Sequence, residues 1–165
     1  MEHKLIAGKA VMSAAITTIS AFLGWKGILA VAWVLAMALD YISGSAAACK
    51  AREWSSSAAR QGLWHKGGMI LVVMVSGIAD MIMAVVMENM SIGLHWPGVV
   101  LPLVLTWYII TELGSILENA VKLGATVPEW LVKLLKISLS TVNSAGDASA
   151  NTPEMHDSDS LEVKK

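Results

Sequence analysis

Long apolar runs alternate with short charged ones along this chain. Four of them, 5–23, 27–48, 69–87 and 97–117, approach the roughly 20 apolar residues that carry a helix across a hydrocarbon core about 30 Å thick. A spanning segment must be helical, because lipid offers no partner to an unpaired backbone N–H or C=O. The period-two alternation of a barrel strand is absent. The pattern therefore predicts an all-α, multi-pass transmembrane protein of about four spans, which together form a helical domain over 1–126.

The first run is the most polar, with Gly8, Lys9, Ser13, Thr17 and Thr18 inside it. A signal peptide cleaved at Ser13-Ala14-Ala15 and a helix lying in the interface are the alternatives to a span. Gly8-Lys9 breaks the apolar region a signal peptide needs, and Lys9 is close enough to the end to snorkel. Spanning is the expectation. Past the fourth run, Gly124 to Pro128 interrupts the chain. A short amphipathic helix is predicted over 127–140, where Trp130, Leu131, Leu134 and Ile137 recur at helical spacing, and it is expected to rest on the inner leaflet. Residues 141–165 turn to Ser, Asn, Asp, Gly and Thr, a composition expected to stay disordered.

Charge settles an orientation. The segment between the second and third runs holds Lys50, Arg52, Arg60 and Lys66, whereas the next connection holds no Lys or Arg. The positive-inside rule makes the first a cytoplasmic basic loop and the second external, so four spans leave both termini in the cytoplasm and Lys26 outside. Trp25 and Trp96 then mark the outer boundary, and Trp54, Trp64 and Trp130 the inner one.

The composition is 55% hydrophobic and 15% charged with a net charge of -1, and the mean hydropathy is +0.60. Without a basic surplus, nucleic acid is not an expected partner. Cys49 is the single cysteine, and His65 and His95 fall on opposite predicted sides. No phosphate loop, nucleophile elbow or metal motif is present, so no enzymatic activity, cofactor or metal is expected.

Asp40, Asp80 and Glu112 fall inside predicted spans, where an ionised carboxylate costs roughly 2.5–3.5 kcal/mol even on the lenient insertion scale. Asp40 belongs to a file at spacing four, Ala32, Ala36, Asp40, Gly44 and Ala48, which would let helices pack closely. Asp80 lies between Ser76 and Ala84, and Glu112 shares a side with Tyr108, Ser115 and Asn119. One reading has these carboxylates satisfied within a monomer by Lys, Ser or Tyr. The other has them on faces used between subunits for oligomerisation or lesion lining, because cations at membrane depth are few. Glu118 and Asn119, at the inner boundary, either cap the last span or meet a neighbouring subunit.

Several segments together resemble the bacteriophage lysis and toxin-secretion holins. The residues are Asp40-Tyr41-Ile42-Ser43-Gly44, then Ser55 to Ser57 with Arg60-Gln61-Gly62-Leu63 and Lys66, then Asp80. The most specific is Glu112-Leu113-Gly114-Ser115-Ile116-Leu117-Glu118-Asn119 with Gly124, Val127 and Pro128. The resemblance covers roughly 30 to 135, and the long polar tail and Trp-rich spans depart from the family's pattern. It implies a protein that oligomerises with itself in the lipid bilayer of the bacterial inner membrane and permeabilises it at a set time. An endolysin or toxin, which it need not touch directly, then leaves the cytoplasm. The alternatives from other classes are a small multi-span transporter or ion channel subunit and an accessory of a larger membrane complex.

Overall fold

The computed structural model of the protein describes residues 24–90 and 95–150, with the isolated helical positions Ile6, Lys9, Ser13 and Thr17. The rest of the expected first span, and 151–165 of the expected tail, lie outside the described residues. Among the described residues all regular structure is helical: α1 Trp25–Ala51, α2 Ser56–Asn89, α3 Val100–Leu123 and α4 Glu129–Ala150. The first three are long and apolar enough to cross a membrane. The protein is thus an all-α, multi-pass membrane protein.

Local chemistry fixes the helix ends. α1 stops where Arg52 turns left-handed (φ 61), and Glu53 N–H reaches back to Ala48 O, so the last carbonyls stay paired. Gly124 (φ 98) ends α3 in the same way, with Ala125 N–H on Ala120 O. Ser55 starts α2 by accepting a bond from Ala58 N–H at 3.2 Å. That cap corrects the expected basic loop. Lys50 is inside α1, Arg60 and Lys66 are inside α2, and only Arg52 of the four lies in the short connection. The apolar run from 69 marks where α2 meets lipid, and its helix begins much earlier. At 34 residues, α2 is about 51 Å long and must project beyond the hydrocarbon core.

The longest interface joins α1 to α3; α2 packs mainly on α3 and touches α1 only slightly. The small file of α1 contributes to this: Ala36 is buried, Ala32, Gly44 and Ala48 are half-buried, and an added Cβ on Gly44 would sit 3.4 Å from Asn119 Nδ2. Trp33, Met37, Met69 and Leu105 form the apolar core, with Trp33 stacked on Tyr108 at a centroid distance of 6.0 Å. Broad apolar surfaces of α1 and α2, including Ile42, Leu71, Val75 and Met81, are exposed, as lipid-facing helices require.

α4 continues to Ala150, past the expected end at 140. Residues 141–150, expected to be disordered, are helical: Ala145, Ala148 and Ala150 favour helix, and the hydroxyls of Ser140, Thr141, Ser144 and Ser149 turn back on carbonyls of their own helix three or four residues earlier.

Candidate functional site

One face of α2 carries Lys66, Met69, Val73, Ser76 and Asp80, which recur at helical spacing. It presents a cation, an apolar middle and an acid to the other helices. Toward the N-terminal end of α2, Lys66 Nζ lies 3.0 Å from Asp40 Oδ2 on α1 and 2.7 Å from both Glu112 oxygens on α3. One ammonium thus ties three helices together. The Glu112 side chain is only 5% exposed and that of Lys66 13%, so neither charge is solvated on its own account. Asn119 Nδ2 donates to Asp40 Oδ1 at 3.1 Å and to Ser43 Oγ at 3.2 Å.

Two expectations need correction here. Lys66 does not lie in a loop: it is inside α2 and reaches two of the three carboxylates, which a single cation still leaves outnumbered. Asn119 does not cap α3, whose cap is Gly124; it joins α3 to α1 within the same chain. With both carboxylates ionised the three groups still sum to one negative charge.

Toward the C-terminal end of α2 Asp80, 7% exposed, serves another helix. Its Oδ1 accepts from Trp96 Nε1 at 2.9 Å and Val100 N–H at 3.0 Å, and its Oδ2 accepts from Leu101 N–H at 2.9 Å. Val99, at the N-cap of α3, makes no side-chain cap bond, so a carboxylate from α2 supplies the acceptors and sits at the positive end of the helix dipole. Gly98 (φ 69) lets the backbone pass; an added Cβ would collide with Lys26 Nζ and lie 3.5 Å from Asp80 Oδ2. Trp96 is therefore more than a boundary marker. At the other end of α3, Lys50 Nζ donates to Leu123 O at 2.7 Å.

Because α2 stands away from α1, a cleft of about 390 Å³ opens between these two helices and α3, lined by Asp40, Gly44, Lys66, Glu118, Asn119 and Lys122 among others. Glu118 lies exposed on its rim. The arrangement pairs charge and leaves the cluster open to polar groups through this cleft. Among the described residues no group of His, Cys, Asp and Glu is placed to hold a metal ion.

The cluster, the cap and the apolar middle layer share one stretch of chain with a known family. The model of the bacteriophage holin family matches residues 17–139, well over half of the chain. An uncharacterized protein of Clostridium perfringens strain 13 is 33% identical over 98 residues, 59% of this chain and 65% of the relative. An uncharacterized 14.9 kDa protein in the nagH 3′ region of Clostridium perfringens is 33% identical over 98 residues, covering 67% of its length. The alignments thus span about two thirds of these curated relatives. No solved structure matches. Holins form pores in membranes and are not enzymes. From the match along most of its length, this chain belongs to the bacteriophage holin family.

Proposed function

We propose that the protein oligomerises in the cytoplasmic membrane of a bacterium and permeabilises it at a set time, releasing a cell-wall-degrading endolysin or a toxin. The observation that carries the reading is the Asp40–Lys66–Glu112 cluster, which holds three membrane-depth helices together by charge rather than by a large apolar core. In lipid these charges must remain paired, since separating them would leave each without solvent. Against water they can part at much lower cost. The chain therefore suits a population shift between a lipid-compatible closed form and a water-lined assembly. The segment 5–23 crosses as a fourth span in this reading, with both termini cytoplasmic.

Inducible expression in a bacterium with and without a cytoplasmic endolysin tests the proposal. Abrupt lysis only in the pair supports it. Ion flux without release of macromolecules would instead identify a channel or transporter, and no leakage at all an accessory subunit.

A further inference from the structure

Asp80 carries a charge that its three bonds to neutral donors do not cancel, and a cation from the third helix stands close to it. Lys26, half-buried in the first turn of α1, donates from Nζ to Pro97 O at 3.4 Å. Pro97 belongs to the connection that leads into α3, directly before Gly98. A Cβ built onto Gly98 would collide with Lys26 Nζ and lie 3.5 Å from Asp80 Oδ2. Lys26 is the nearer of the two, so the ammonium and the carboxylate oxygen are separated by less than twice 3.5 Å. They make no contact ion pair. The vacant Cβ position is what lets the two charges approach, and the left-handed φ of 69 there is one that glycine adopts freely.

Local helix chemistry gives no reason for a lysine at this place. The first turn of α1 contains no acid, and the positive end of the helix dipole repels a cation. The Trp25 ring centroid is 6.0 Å from Lys26 Nζ, at the outer limit of a cation–π contact. Pro97 O accepts only a long bond. Asp80 is the neighbour with a full opposite charge, and it lies fourteen residues beyond Lys66, about 21 Å along α2.

We propose that Lys26 is a positioning residue of the closed form: across the gap at Gly98 its charge offsets that of Asp80 and holds the start of α1 against the connection between α2 and α3. This rests on the holin reading above. Because α1 and α2 touch only slightly, the Lys66 cluster and the Lys26–Asp80 pair secure them at two separate levels. Loss of either charge of the pair frees the start of α1 and shortens the time for which the closed form persists.

The test compares full-length chains at equal accumulation in cells: Lys26→Met, Lys26→Arg, Asp80→Asn, and Lys26→Met combined with Asp80→Asn. Lys26→Met is expected to permeabilise the membrane severalfold sooner after induction than the unaltered chain, and Lys26→Arg at nearly the unaltered time. In the Asp80→Asn background Lys26→Met is expected to add little, as two members of one interaction should. Equal times for Lys26→Met and Lys26→Arg, or the same advance from Lys26→Met in both backgrounds, overturn the proposal. In detergent micelles the Val100 and Leu101 amides of Lys26→Met should exchange severalfold faster than in the unaltered chain, and no faster in the double variant than in Asp80→Asn alone. If the unaltered chain causes no leakage, the holin reading falls and exchange alone decides the pairing, with unchanged exchange in Lys26→Met overturning it.

Discussion

Lys66 Nζ on α2 lies within 2.7 Å of both oxygens of Glu112 on α3 while also holding Asp40 on α1. This pairing makes the three helices one unit, and it dictates what happens when a member is lost.

Lys66→Met leaves the buried Glu112 and the half-buried Asp40 without a cation. Breaking a buried pair from one side costs about 3–5 kcal/mol, so the variant should unfold at markedly lower denaturant in detergent micelles and accumulate poorly. Adding Asp40→Asn and Glu112→Gln to it should recover most of the loss, because no uncompensated charge then remains.

Asp80→Ala removes the acceptor of three hydrogen bonds at the start of α3. Bonds to a charged group contribute about 1.5–3 kcal/mol net. The expected outcome is a loss of that order in stability, with faster hydrogen exchange confined to the Val100 and Leu101 amides. Exchange unchanged there would contradict the capping role.

Gly124→Ala strains the turn on which α4 folds back, since a non-glycine residue in the left-handed region costs about 1–2 kcal/mol. The added Cβ would also stand 3.4 Å from Lys50 Nζ. Spin labels on α3 and α4 should show a broader distance distribution than in the unaltered chain.

Much of this was legible in the chain itself. Span length and the absence of β alternation predict helices, and Asp40, Asp80 and Glu112 stand out because lipid makes a carboxylate expensive. Lys66 was harder to place. Its neighbours Arg60 and Lys50 read as a basic loop, and only its spacing to Met69, Val73 and Asp80 could have put it on the face of α2 that meets the other helices. The partner of Asp80 was not legible at all, since backbone N–H groups at the start of α3 carry no side-chain signature. Nor did residues 141–150 announce a helix, because serine hydroxyls turned back on their own carbonyls look in sequence like a solvated tail.

The central claim is that charge pairing in the Asp40–Lys66–Glu112 cluster holds the closed form. Asp40→Asn removes the surplus negative charge while leaving Lys66 paired with Glu112, so the closed form should become easier to keep in lipid. The decisive measurement is the time from induction to permeabilisation in cells that accumulate this variant to the unaltered level. The account predicts a clear delay; unchanged timing together with unchanged oligomerisation would contradict it.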